Sequence, residues 1–420
     1  MTFNDLQLLP QILEALHEKG YREPTPVQEQ TIPAVMRGRD VLSLAQTGTG
    51  KTAAFALPIL HRLGTMTPAK GISVLVLAPT RELAIQIHDN FSAYGKTLPF
   101  RMALLYGGVG QNPQEQALKK HPAIVIATPG RLLDLYSQGH IKLNTVTTLV
   151  LDECDRMLDM GFARDLNKIL ALLPRERQTL LFSATMPDDI RAMAEKHMSD
   201  PVRVQIVTNE ENLPKISQRM YYVNRDRRQD LLLDVIEKEP AEQALIFTRT
   251  KRGADRLSKV LTKEGHSASA IHGDKSQSQR EKALKAFKAG QLKILVATDL
   301  ASRGIDVKEM DLVINYDMPA DGETYVHRIG RTGRAGRAGV SVSFRGYDDT
   351  DVEKELIKKY GTELEIIRSH AHLPDGVLVA PDPAHAPKRG PGFKRPSSPA
   401  PAAKPARSSS FGKKSSGSRW

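Results

Sequence analysis

Ala45-Gln46-Thr47-Gly48-Thr49-Gly50-Lys51-Thr52 follows the apolar run Val41-Leu42-Ser43-Leu44 directly, so a buried strand feeds a glycine-rich loop and then a helix. Small residues let backbone N–H groups converge on anionic oxygens. Lys51 adds a positive charge and Thr52 a hydroxyl suited to Mg²⁺, so the stretch reads as a cradle for a nucleoside triphosphate. The usual form of this loop has glycine where this chain has Ala45, so the rest of the chain must supply the context.

That context comes about a hundred residues on, where Leu149-Val150-Leu151 reads as a second buried strand running into Asp152-Glu153-Cys154-Asp155. Phosphoryl transfer needs charge neutralisation and an aligned nucleophile more than covalent help. Asp152 fits the role of Mg²⁺ ligand and Glu153 that of the group polarising the attacking water. A lone Asp-Glu pair would ordinarily be an acidic helix N-terminus; the upstream loop favours the catalytic reading.

Apolar runs alternate with amphipathic stretches along the body: Val74–Leu77, Ile124–Ala127, Val150-Leu151 and Thr179–Phe182, each ahead of a polar or glycine-marked turn. This alternation predicts a mostly parallel sheet with helices on both faces. Ligands then gather at the strand ends, along one rim that carries Pro79–Ala84, Thr128–Arg131, Asp152–Asp155 and Ser183–Thr185. After a weakly structured stretch around Thr208 to Pro214 the pattern restarts at Ala244–Phe247, Ser269–Ile271, Lys293–Val296 and Leu312–Ile314, giving a second domain of the same class without a second phosphate loop. One nucleotide site and two similar domains imply a shared cleft in which the second supplies arginines to the first, with Arg331 and Arg334 as the candidates. The expected boundaries are 1–207, a linker at 208–215, 216–375 and a tail at 376–420.

Composition bounds the rest. The 420 residues, 40% of them hydrophobic, suffice for two domains with separate cores. A single cysteine excludes a disulfide framework, and no zinc-site spacing is present. With no basic start and apolar run at the N-terminus, and no membrane-length apolar stretch, the chain reads as soluble and cytoplasmic. Residues 380–420 carry nine Lys or Arg against Asp382 alone, together with eight Pro and eight Ser, so most of the net charge of +12 lies in a tail expected to be disordered. Such a tail attracts phosphate polymers without reading sequence; nucleic acid is favoured over a membrane surface or plain solubility.

From Phe3 to about residue 370 the chain resembles a DEAD-box RNA helicase of superfamily 2, with the blocks in that family's order. The resemblance implies two tandem RecA-like domains and RNA-stimulated hydrolysis of ATP with Mg²⁺. It also implies local, largely sequence-independent unwinding of RNA by a monomer without membrane association. Gly20-Tyr21 to Pro26-Val27-Gln28, with Phe3 ahead of it, resembles the family's Q motif: Gln28 would read the adenine edge through its two-sided amide, and Phe3 or Tyr21 would stack. Lys51 and Thr52 would hold phosphate and Mg²⁺, Asp152 would bind Mg²⁺ through water, and Glu153 would position the hydrolytic water. Asp155 would couple the domains, Ser183 and Thr185 would link hydrolysis to strand separation, Asp306 would meet the ribose and His327 would sit at the interface. The implied RNA surface is Arg81, Gly107, Gly108, Thr128, Pro129 and Arg131 in the first domain, and Thr248, Arg249, Gly273 and Thr298 in the second.

Glycines and small hydroxyls suit contact with sugar and phosphate, and 2′-hydroxyl contacts are how a protein prefers RNA over DNA. None of these blocks contains an aromatic residue, which argues against a base-stacking platform. Ribosomal precursors and RNA-decay proteins are family-level partners. A clamp that holds RNA without unwinding it, and a DNA-directed motor, are the rival readings. Two departures from the family pattern, Cys154 and Ser302 where alanine is usual, are conservative in size; a redox role for Cys154 lacks a nearby resolving thiol.

Overall fold

The computed structural model describes residues 1–45, 48–65, 71–206, 216–239, 241–302, 310–333 and 339–379. Gln46, Thr47, Asp306, Arg334, the expected linker and the tail beyond residue 379 lie outside the described residues, as does the side chain of Ser302.

The first lobe runs α1 (Pro10–Glu18), α2 (Pro26–Met36), β1 (Val41–Leu44), α3 (Lys51–Thr65), β2 (Val74–Leu77), α4 (Arg81–Tyr94), β3 (Met102–Leu105), α5 (Asn112–Lys119), β4 (Ile124–Ala127), α6 (Pro129–Ser137), β5 (Thr148–Leu151), α7 (Cys154–Asp159), α8 (Ala163–Leu172), β6 (Gln178–Ser183), α9 (Asp188–His197) and β7 (Val202–Gln205). The second runs β8 (Ile216–Tyr222), α10 (Arg228–Lys238), β9 (Ala244–Phe247), α11 (Lys251–Lys263), β10 (Ala268–Ile271), α12 (Gln277–Lys288), β11 (Ile294–Ala297), α13 (Asp299–Ser302), β12 (Leu312–Asn315), α14 (Gly322–Ile329), β13 (Gly339–Arg345), α15 (Thr350–Tyr360) and β14 (Leu364–Ile367).

Each lobe is built on a seven-stranded sheet, in the orders β3-β4-β2-β5-β6-β1-β7 and β10-β11-β9-β12-β13-β8-β14, and every pairing is parallel. The two orders correspond strand for strand. In β2, Val74 and Val76 enter one core with Phe55 and Phe91, while Leu75 and Leu77 enter the opposite one with Leu132 and Ile169. The period of two thus divides a continuously apolar strand between two helical layers, which is why these strands read as unbroken hydrophobic runs. In the second lobe Ile246 packs with Leu257 and Leu261 of α11, and Phe247 with Phe287 of α12 on the other face. Emptying a fully buried position such as Phe182, 5.2 Å from Phe55 between ring centroids, would cost about 3–5 kcal/mol.

Five strands beyond those read from apolar runs complete the sheets: β3, β7, β8, β13 and β14. Among these, β3 and β7 are edges with partly exposed side chains, while β8 and β13 interleave polar residues such as Gln218 and Ser341. Because every strand is parallel, each lobe gathers its strand C-termini on a single rim.

Candidate active site and nucleic-acid interface

The loop after β1 is held from below by the start of α2. Thr25 Oγ1 donates to the Thr49 carbonyl (2.8 Å) and Gln28 Nε2 to the Gly50 carbonyl (3.1 Å), while Gln28 Oε1 accepts from Thr25 N (3.0 Å). Gly50 has φ 93°, and a Cβ there would lie 2.4 Å from Gln28 Nε2, so both conformation and space exclude a side chain. Gln28 is buried and spends part of its amide on this brace, a role the sequence did not announce. Phe3 stacks on Tyr21 at 6.4 Å between centroids and 22° between planes, and Tyr21 keeps 41% exposure.

Lys51 opens α3. Its side chain is buried, and Nζ has no hydrogen-bond partner among the described residues. Asp152, at the end of the central β5, is 2% exposed, and burial pushes its carboxyl up to about 6 against the pull of the Lys51 ammonium, with Glu153 adding to the rise. A buried ammonium with no hydrogen-bond partner among the described residues, set beside a carboxylate whose charge burial disfavours, is a donor set that fits a triphosphate and a divalent cation with Thr52 nearby on α3.

Glu153 sits at φ 51° where the chain turns into α7, and its Oε2 pairs with Arg156 Nη1 in a buried contact. Asp155 accepts from Ala184 N (2.9 Å), Thr185 N (2.9 Å) and Thr185 Oγ1 (3.1 Å), tying β5 to the loop after β6. Burial would raise its carboxyl, but the N–H groups of Thr185, Arg156 and Ala184 outweigh it and hold the group below its ordinary range. Ser183 is fully buried, and its hydroxyl adds to the groups that hold the Asp155 carboxyl down. Cys154 is buried 3.7 Å from Met193 Sδ, and burial pushes its thiol up to about 12, so it carries no thiolate chemistry at neutral pH.

The second lobe meets this group across a cleft lined by Arg156 on one side and Phe247, Thr324, His327 and Arg331 on the other. His327 is held below its ordinary range, chiefly by burial and then by the Arg156 guanidinium, against the opposing pull of the Glu323 and Asp155 carboxylates. Sequence reasoning missed the neighbouring Arg328. It is buried, forks onto Asp299 (Nε to Oδ1 2.6 Å, Nη2 to Oδ2 2.8 Å), donates to Asn315 Oδ1 (3.0 Å) and lies 4.9 Å from the Phe247 ring centroid. The fork and the bond to Asn315 fix α14 against the start of α13 and the end of β12, and so aim His327 and Arg331 at the cleft.

The residues expected to meet RNA occupy adjacent strand ends: β2, β3 and β4 in the first lobe, and β9, β10 and β11 in the second. They form one half of each rim, with the phosphate loop and Asp152 on the other half of the first. Arg81 lies over the Gly107-Gly108 loop so closely that a Cβ on Gly108 would sit 2.0 Å from its Nη1. Thr128 caps α6 and Pro129 opens it; Arg131 Nη1 is buried without a hydrogen-bond partner. Thr248 and Thr298 are buried at their strand ends, Arg249 is exposed with Nη2 3.3 Å from Asp349 Oδ1, and Gly273 lies beside Lys251. His272 accepts from Asp274 N (3.3 Å), a scaffold for its own loop. These halves of the two rims touch: Arg280 Nη2 lies 2.8 Å from Glu82 Oε1, which also accepts from Gln277 Nε2 at 3.4 Å. This cross-lobe pair went unseen in the sequence; its only signal is that Glu82 adjoins Arg81.

Family models describe residues 25–193 as a DEAD/DEAH box helicase and residues 227–336 as a helicase conserved C-terminal domain. The chain is 46% identical over 343 residues to the DEAD-box ATP-dependent RNA helicase CshA of Geobacillus kaustophilus, covering 82% of this chain and 73% of that protein. Against a Bacillus cereus CshA the figures are 45%, 82% and 65%, so the matched part spans about two thirds of such relatives. Among solved structures, Dbp5 of S. cerevisiae bound to RNA and ADP BeF3 matches with a TM-score of 0.77 at 31% identity, covering 87% of this chain and 95% of that one.

Proposed function

Because this chain belongs to the DEAD-box ATP-dependent RNA helicases, we propose that it hydrolyses ATP at the seam between its two lobes and uses closure of that seam to bend and locally melt RNA. The observation that carries this reading is the buried, unpartnered Lys51 ammonium beside Asp152, on the rim that faces the second lobe. Lys51 would hold the triphosphate oxygens within the backbone cradle of Gly48 to Thr52. Thr52 and Asp152 would hold Mg²⁺, which neutralises phosphate charge when bound. Glu153, its orientation set by Arg156, would align the water that attacks the γ-phosphorus as the bond to ADP breaks. Arg331 and Arg334 would stabilise charge on the transferring group, and Asp306 would meet the ribose.

Asp155, through Thr185 and Ala184, and His327 opposite it, would pass the state of the phosphate to the lobe interface. With the seam shut, Arg81, Gly107, Gly108, Thr128, Pro129 and Arg131 would continue into Thr248, Arg249, Gly273 and Thr298 as one surface for sugar and phosphate. A regular A-form duplex cannot follow a bent strand held this way, so one strand leaves. We read the protein as a cytoplasmic monomer, with structured RNA such as ribosomal precursors as its substrate class.

Glu153→Gln should lower RNA-stimulated turnover by about 10²–10⁴-fold while leaving nucleotide and RNA binding in place. Turnover at the parental rate would reject the water-aligning role. Displacement of a short RNA strand by the parental enzyme with ATP is expected; ATP-dependent RNA retention without displacement would favour a clamp, and equal ATPase stimulation by DNA a DNA-directed motor.

A further inference from the structure

Helix α11 carries Arg252, Arg256, Lys259 and Lys263 at i, i+4, i+7 and i+11, on a single face about 16 Å long. All four are exposed, and none forms an ion pair with any described carboxylate. The one acid on the helix, Asp255, borders this face at i+3 from Arg252 and i−4 from Lys259, but its carboxylate is taken up by Lys275 (2.8 Å) and His272 (3.1 Å). Four like charges in a row repel one another, and the first turn holds Lys251 and Arg252 with no acid, against the positive end of the helix dipole.

The fold does not require this arrangement. In the first lobe α4 makes the equivalent β2-to-β3 crossover with a single arginine, Arg81, alongside Glu82 and Asp89. An unbalanced stripe kept at a position where the sister lobe does without it calls for an anion from outside the chain. Continuity identifies that anion: the Thr250 cap of α11, whose Oγ1 accepts from Gly253 N (3.0 Å), directly follows Thr248 and Arg249 on the RNA half of the rim.

We propose that the outer face of α11 is a second RNA-binding track, taking the phosphodiester backbone of RNA that continues beyond the strand gripped at the rim. It rests on the reading that the β9 loop holds RNA. Side chains of this length and spacing contact phosphates without ordering bases, so the track is indifferent to sequence and strongly dependent on salt. It would anchor a long substrate while the seam opens and closes on one short segment.

The test uses the full chain and a variant with Arg252→Gln, Arg256→Gln, Lys259→Gln and Lys263→Gln, measured by fluorescence anisotropy with a non-hydrolysable ATP analogue. The probes are oligouridines of about 8 and about 30 nucleotides, the shorter sized for the rim alone. The variant should bind the short probe like the parent, bind the long one about 10-fold or more weaker at moderate salt, and lose about 2–3 from the slope of log affinity against log salt. The paired variants Arg252→Gln with Arg256→Gln, and Lys259→Gln with Lys263→Gln, should each lose part of this, with an unchanged melting temperature. Unaltered binding of the long probe would overturn the proposal and leave the stripe to some other anion. Equal losses on both probes would overturn it too, by making α11 part of the rim. Failure of the parent to bind the short probe would instead reject the rim reading and, with it, the track.

Discussion

Lys51 and Arg228 hold the same place in the two lobes, each the first residue of the helix after the corresponding strand, β1 or β8. Their surroundings differ. Lys51 is buried with no hydrogen-bond partner for its ammonium among the described residues, whereas Arg228 lies 2.8 Å from Asp317 Oδ1 and 3.6 Å from Asp349 Oδ2. The loop ahead of Lys51 has Gly48 and Gly50 at φ 88° and 93°; the connection ahead of Arg228, Val223-Asn224-Arg225-Asp226-Arg227, has no glycine. The same sheet therefore bears one cation awaiting an anion and one satisfied by its own chain. A site in this architecture is made by leaving a charge unpaired at a rim loop whose backbone can approach a ligand; the fold supplies only the position.

Exchanging these two environments gives the largest expected effect. Lys51→Ala should lower RNA-stimulated ATP hydrolysis by about 10²–10³-fold. Arg228→Ala should leave turnover within a few-fold of the parent but destabilise the protein by about 1–3 kcal/mol, read as a fall in melting temperature, because it leaves partly buried carboxylates without a partner. Comparable loss of catalysis in both variants would break the comparison.

The cross-lobe pair comes next. Arg280→Gln removes the charge facing Glu82, which has a side-chain exposure of 7%, and should raise the RNA concentration needed for half-maximal ATPase by about 10-fold. Basal nucleotide affinity should hold, since that pair is on the half of the rim away from the phosphate loop, the half proposed to meet RNA. A change confined to nucleotide affinity would contradict the division of each rim into two halves.

How much of this was legible in the sequence follows from where the signal lies. Phosphate-loop residues are contiguous, and the central strands β2, β4, β5, β9, β11 and β12 are buried on both faces, so their side chains spell the fold locally. The edges β3 and β7 pack on partial cover, and β8 and β13 mix Ser, Gln and Arg into the run, so hydrophobicity alone passes over them. Arg328 and Arg331 look alike in the run His327-Arg328-Ile329-Gly330-Arg331; only the helix turn separates the one that forks onto Asp299 from the one that lines the cleft. Glu82 and Arg280 meet through tertiary structure and carry no local mark. Gln28 was read as an adenine contact, but its bond to the Gly50 carbonyl depends on where α2 sits under the loop.

A smaller effect concerns acidity. His327 lies at the seam with its charged form disfavoured, so its contribution to closure is present above the ordinary histidine range and is lost as pH falls through about 6.5 and below. RNA-stimulated ATPase measured from pH 7.5 down to 5.5 should therefore fall more steeply in the parent than in His327→Gln. Parallel profiles would remove His327 from the coupling.

The smallest expected effect belongs to Cys154. With the thiol buried and pushed up to about 12, the folded chain should resist alkylation by iodoacetamide at pH 8 and take one label when unfolded. Ready labelling of the folded chain would show that α7 and α9 part in solution.

That inert thiol also opens the decisive experiment, since it leaves cysteines placed at the exposed Lys142 and Lys354, one in each lobe, free to carry a dye pair. Single-molecule energy transfer between them should collapse to one narrow, high-transfer population only when RNA and a non-hydrolysable ATP analogue are present together, and Lys51→Ala should abolish that population. A distribution indifferent to both ligands, or one that narrows with RNA alone in the Lys51→Ala variant, would contradict a phosphate site completed across the seam.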